Sequence, residues 1–121
     1  MKNVVTPETA RKLKDNGFKQ PKFEAGQLWY KERYPGGTAA KWVLCVFSEL
    51  DFIPLDGGNF PTGEAVFAPT ATDILHTLGD DWALDTFEGK WRCWLSWGDS
   101  EFKGKSAIAV TVLAWLKEHA K

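Results

Sequence analysis

The pattern of apolar residues, turn signals and helix caps predicts an α+β fold: an antiparallel sheet of two hairpins with two or three helices, the apolar C-terminal helix packed on the sheet. Three observations predict it. Gln27–Arg33 and Lys41–Ser48 read as strands on either side of Tyr34-Pro35-Gly36-Gly37-Thr38, whose composition makes a turn. Trp82–Phe87 and Lys90–Trp97 read as a second pair of strands joined by Glu88-Gly89. Helix signals stand before, between and after these hairpins.

Each element has its own local cause. Thr6-Pro7-Glu8 starts the first helix: Thr caps, Pro suits the first helical position and Glu favours the positive end of the dipole. Asn16-Gly17 stops it. Ala10 and Leu13, with the stem of Lys14, form a thin apolar stripe, so this helix should lie on the surface. Lys41–Ser48 is apolar on both faces, as a central strand is. Asp51–Thr62, with Pro54, Asp56-Gly57-Gly58-Asn59 and Pro61, reads as the longest structureless stretch. Ala65–Ala68 reads as a short strand ended by Pro69. Thr72–Gly79 reads as a short capped helix closed by glycine, and Gly98–Gly104 as a polar loop. The last helix opens at Lys105 or Ser106 and runs to about His119. Its β-branched Val110-Thr111-Val112 also suits a strand, but its length and alanine content favour helix.

With 121 residues the chain has the length of a single domain, 1–121. Seven Trp, eight Phe and two Tyr are enough large side chains to fill a core without metal or disulfide. No apolar run follows Met1-Lys2, and Ala107–Leu116 is too short to cross a bilayer. The expectation is a cytoplasmic protein with no membrane contact, in which Cys45 and Cys93 stay reduced. Charge is uneven along the chain. Lys2, Arg11, Lys12, Lys14, Lys19 and Lys22 oppose only Glu8 and Asp15 near the start. Between Glu49 and Glu101 the acids far outnumber Lys90 and Arg92. Packing of the basic ends beside this acidic middle would neutralise both; a bipolar field that steers a partner is the alternative.

Tests for chemistry find no catalytic motif. Asp73 and His76 are spaced i, i+3 and could orient an imidazole as a base, but no nucleophile accompanies them. Arg92 adjoins Cys93, yet strand neighbours point to opposite faces, so the guanidinium should not reach the sulfur. Asp56-Gly57-Gly58-Asn59 resembles half of a calcium loop but lacks the alternating acids and the closing Glu. No cofactor, metal or catalytic residue is therefore expected.

The tryptophans are the departure from average composition. A period of two puts Trp91, Cys93, Leu95 and Trp97 on one apolar face of their strand, expected to be core. Arg92, Trp94 and Ser96 share the other face, which makes Trp94 a candidate exposed ring. Trp29 shares a face with Gln27, Lys31 and Arg33 and is the second candidate. A polar face carrying Trp and Arg suits recognition, where such an anchor contributes about 2 kcal/mol or more. Trp29, Lys31, Arg33, Arg92 and Trp94 are thus the expected binding residues.

Phe67-Ala68-Pro69-Thr70-Ala71-Thr72-Asp73-Ile74-Leu75, then Leu78-Gly79 and Trp82, resembles a segment of small uncharacterised proteins encoded by phages and prophages. Gly26-Gln27-Leu28-Trp29-Tyr30 and Ala114-Trp115-Leu116 extend the resemblance to about half the chain. It implies a small accessory protein of a mobile element and carries no activity. The reading from sequence is a non-enzymatic protein whose partner is another protein. The alternatives are a single-stranded nucleic-acid binder, disfavoured by the acidic middle segment, and a small enzyme using Asp73 and His76.

Overall fold

A computed structural model describes residues 4–33, 41–98 and 100–119. The α+β class is as expected, with helices and two antiparallel sheets. The chain divides into two compact units, Thr6–Ala68 and Met1–Val5 with Pro69–Lys121.

In the first unit, helix α1 spans Pro7–Asp15. The Thr6 hydroxyl accepts the Thr9 N–H at 3.3 Å, and Ala10 and Leu13 are buried. Strands β1 (Leu28–Arg33), β2 (Lys41–Ser48), β3 (Asp51–Pro54) and β4 (Ala65–Phe67) form a sheet ordered β3-β2-β1-β4. The turn expected at 34–38 lies outside the described residues. β3 corrects the expectation that Asp51–Thr62 is structureless: Phe52 pairs with Phe47 and Ile53 with Val46. The rest of that stretch is anchored by Arg33. Its guanidinium holds both carboxylate oxygens of Asp56 at 2.9 Å, and its Nε donates to the Asn59 carbonyl at 2.8 Å. Gly63 donates to the Glu32 carbonyl, and a Cβ there would come within 2.8 Å of that oxygen, so close approach demands glycine.

The second unit holds helix α2 (Ala71–Leu78), strands β5 (Trp82–Phe87), β6 (Lys90–Leu95) and β7 (Glu101–Gly104), and helix α3 (Ala107–His119). The three strands are ordered β5-β6-β7. α2 has a full capping box: the Thr70 hydroxyl accepts the Asp73 N–H, and the Asp73 carboxylate accepts the Thr70 N–H. Glu88 and Gly89, at φ 52° and 79°, make the β5–β6 connection with both central residues left-handed, as a type I′ turn requires. β7 replaces the polar loop expected at Gly98–Gly104. Its charged Glu101 and Lys103 alternate with Phe102 and Gly104, the pattern of an edge strand with one face inward. α3 opens after Ser106, whose hydroxyl accepts the Ala109 N–H at 3.0 Å. The Thr111 hydroxyl bonds back to the Ala107 and Ile108 carbonyls, so this β-branched run is accommodated in a helix. α3 packs on β6 and β7, with Trp82, Cys93, Val110 and Ala114 at the centre of the core.

Candidate functional site on the three-stranded sheet

Register and period two assign the faces of the second unit's sheet. Leu84, Cys93 and Phe102 lie on the face packed against the core around Val110 and Ala114. Ala83, Asp85, Phe87, Lys90, Arg92, Trp94, Glu101 and Lys103 lie on the other. The expectation that Arg92 and Trp94 share an outward face therefore holds in the geometry. Trp94 is partly exposed rather than bare, and its cover comes in part from its neighbours.

Arg92 organises this face. It stands opposite Asp85 across the β5–β6 ladder and grips it with two bonds, Nε to Oδ1 at 2.9 Å and Nη2 to Oδ2 at 2.8 Å. Trp94 Nε1 donates to the same Oδ2 at 3.3 Å. The guanidinium also lies 4.7 Å from the Phe87 ring centroid and 5.1 Å from that of Trp94. Glu101 approaches from the third strand, 3.6 Å from Arg92 Nη1 and 3.5 Å from Lys103 Nζ. The bond from Arg92 holds the Asp85 carboxyl below its ordinary range, and the same pairing raises Arg92. Two rings and a guanidinium are thereby locked in one arrangement, with Phe87 44% exposed.

Chemically the face can offer apolar area, a fixed cation–π pair and carboxylate acceptors. Arg92 and Lys103 are paired with Asp85 and Glu101, while Lys90 stands at the turn end of the same face opposite Phe87.

Trp29, Lys31 and Arg33 belong to β1 in the other sheet, not to the face of Arg92 and Trp94. The exposure expected for Trp29 is overturned: the ring is 2% exposed. Phe23, Phe67 and Phe52 surround it at centroid distances of 4.8, 5.3 and 6.2 Å, and its Nε1 donates to Gln27 Oε1 at 3.1 Å. Arg33 is likewise buried, by the Asp56 pair and the Asn59 carbonyl. Lys31 lays its ammonium 4.7 Å from the Phe52 centroid. Of the polar members of that face, Lys31 leans over the aromatic cluster and Arg33 turns to Asp56.

The face expected to be core on the Trp91–Trp97 strand also needs correcting at its ends. Cys93 is fully buried, but Trp91 is 36% and Trp97 67% exposed. β6 stops at Leu95, so Trp97 lies beyond the ladder where alternation no longer applies. Trp91 instead borders an open hollow of about 530 Å³ with Thr70–Thr72 and Lys105–Ile108.

The Asp73 carboxylate is engaged by the Thr70 N–H at 2.9 Å, and His76 is exposed on an open hollow of about 260 Å³ with Leu75, Gly79, Asp80 and Trp82. Asp80 is the ionisable neighbour of His76 there. Cys45 and Cys93 are free and buried, and burial pushes each thiol up to about 11. Among the described residues no group of three or more His, Cys, Asp or Glu is placed to hold a metal ion, and no helix is long and apolar enough to cross a membrane.

Asp85, Phe87, Glu101 and Lys103 are the members of the site that reading by composition missed. The two-residue turn contains the signal for two of them. Once Glu88-Gly89 is the turn, counting outward puts Asp85 opposite Arg92 and Phe87 one step away on the same face.

No family model matches the chain, and no curated protein or solved structure matches it either.

Proposed function

We propose that this is a small non-enzymatic binding protein that acts by protein–protein contact through the outer face of the β5-β6-β7 sheet, centred on Arg92, Trp94 and Phe87. The observation that carries the reading is the preorganised arginine. Two bonds to Asp85 and two flanking rings hold it. A partner docking there would immobilise little that is not already fixed, which lowers the entropic cost of binding. Trp and Arg are also the residues most enriched among contacts that dominate interface energies. The resemblance of Phe67–Leu75 to phage and prophage proteins suits an accessory protein of a mobile element.

Nucleic-acid binding is the weaker reading, because the guanidinium and Lys103 face carboxylates within the same sheet. An enzyme built on Asp73 and His76 is weaker still, since the helix cap takes the carboxylate.

The test is affinity isolation from the native host with wild type, Trp94→Ala and Trp97→Ala, all checked for folding by amide spectra. A partner retained by wild type and Trp97→Ala but lost by Trp94→Ala supports the reading. Retention by all three folded variants refutes it.

A further inference from the structure

Among the described residues, three of the four outer strands carry a feature that blunts their edge, and β5 does not. Backbone parity shows which groups point outward. On β3 the Leu55 N–H bonds to the Leu44 carbonyl, so Phe52 and Pro54 turn their backbones to the edge. Phe52 N–H is taken by the Asp51 carboxylate at 2.9 Å, and Pro54 has no N–H. On β4, Gln20 Oε1 takes the Phe67 N–H at 2.7 Å. On β7 the edge residues are the charged Glu101 and Lys103. Each is a recognised way of blunting an edge.

β5 has no such device. The Ser96 N–H bonds to the Asp81 carbonyl at 2.8 Å, which sets the parity: Ala83, Asp85 and Phe87 face β6, while Trp82, Leu84 and Thr86 turn outward. Trp82 N–H is satisfied locally by the Gly79 carbonyl. The N–H and C=O groups of Leu84 and Thr86 bond to no described residue. The strand has six residues, no Pro and no Lys, and its single charge is held by Arg92 on the sheet face.

We infer that the open edge of β5 accepts an extended, basic segment of another protein as an added strand. Leu84 and Thr86 would supply main-chain hydrogen bonds, and carboxylates at both ends of the strand would supply charge. Asp80 and Asp81 stand before the strand and Glu88 after it, all exposed. A second copy meets an obstacle in each short register. The twofold register that joins Leu84 to Thr86 crowds Asp85, already bound by Arg92, against Asp85 of the other copy, and the register centred on Thr86 sets Leu84 against Glu88, which leaves the strand at φ 52°. The register centred on Leu84 needs the Trp82 N–H, which Gly79 already holds. This inference rests on reading the sheet as a protein contact, but it concerns the backbone edge rather than the Arg92–Trp94 face.

The probe is a heptapeptide of alternating lysine and valine with blocked ends, titrated into 15N-labelled protein. Amide shifts should centre on Leu84 and Thr86, and their hydrogen exchange should slow about tenfold when free peptide is ten times its Kd. A glutamate–valine counterpart and a lysine–valine peptide methylated at alternate amide nitrogens should not bind. Thr86→Pro removes one outward donor without touching the β5–β6 ladder and should abolish binding. If that variant misfolds, Thr86→Lys, which repels the peptide, should weaken it at least tenfold. Trp94→Ala should leave peptide binding intact. Absence of binding, binding unchanged in a folded Thr86 variant, or dimerisation of the free protein through β5 would overturn the inference. Loss in Trp94→Ala with Thr86→Pro still binding would also overturn it, while leaving the sheet-face reading standing.

Discussion

Trp29→Ala should cost about 4 kcal/mol of stability in the Thr6–Ala68 unit. Truncating a buried Trp to Ala typically costs about 3–5 kcal/mol, from lost transfer energy and the cavity left behind. The ring here is 2% exposed and ringed by Phe23, Phe52 and Phe67, which places it in that range. The hydrogen bond from Nε1 to Gln27 adds about 1 kcal/mol, and Gln27 keeps the Glu24 N–H as a second partner, so nothing is left stranded. Phe23, itself 54% exposed, can lean into the gap and return part of the loss. Trp29→Phe keeps an aromatic ring in place and should cost about 1–2 kcal/mol. Urea unfolding followed through the amide peaks of Val43 and Cys45 reads this unit directly. With a urea slope of about 1–3 kcal/mol per molar, the alanine variant should lower the midpoint by more than about 1 M. A cost below about 1 kcal/mol for Trp29→Ala would refute the burial argument and return Trp29 to the surface.

Three other outcomes follow from the same reasoning. Glu88→Asn should stabilise the protein by up to about 1 kcal/mol, because Glu88 sits at φ 52°, where Asn is favoured; a lower thermal midpoint would contradict the type I′ assignment. Asp56→Asn should lower the urea midpoint and speed amide exchange at Leu55–Asn59, since Arg33 would keep its burial and lose its charge partner. In wild type the Asp56 carboxyl, held below its usual range by the bond from Arg33, stabilises the fold above the unfolded pKa of about 4, and that contribution falls away as acid takes the pH down through the folded value. Cys45 and Cys93 should resist a thiol reagent at pH 8 in the folded protein and react fully in urea. Burial raises both to about 11, so their contribution is present below the unfolded pKa of about 8.5 and is lost as pH rises through the folded value. Thiols titrating at once in native buffer would contradict it.

Much of the fold was legible because its signals are local. Thr6-Pro7, Glu88-Gly89 and the run Lys41–Ser48 each specify their element within a few residues. β3 and β7 were not, because four-residue edge strands containing Pro54, or Glu101 and Lys103, look like loops until a neighbouring strand pairs with them. At the site, alternation alone put Arg92 and Trp94 on one face. The same rule misplaced Trp29. Its companions Lys31 and Arg33 are polar by type, yet one ammonium lies over Phe52 and the other cation is buried against Asp56, far along the chain. Such a long-range pair leaves no mark in sequence spacing. Trp97 failed for a simpler reason, as the strand ended before it.

The most direct test of the proposed contact is photo-crosslinking from its exposed edge in the native host. A benzophenone side chain replaces Phe87 in one variant and Glu118, near the end of α3, in another. The account predicts a discrete protein adduct from position 87 that disappears when Trp94→Ala is added, and no such adduct from position 118. An identical adduct from both positions, or one from position 87 that persists in a folded Trp94→Ala protein, would contradict it.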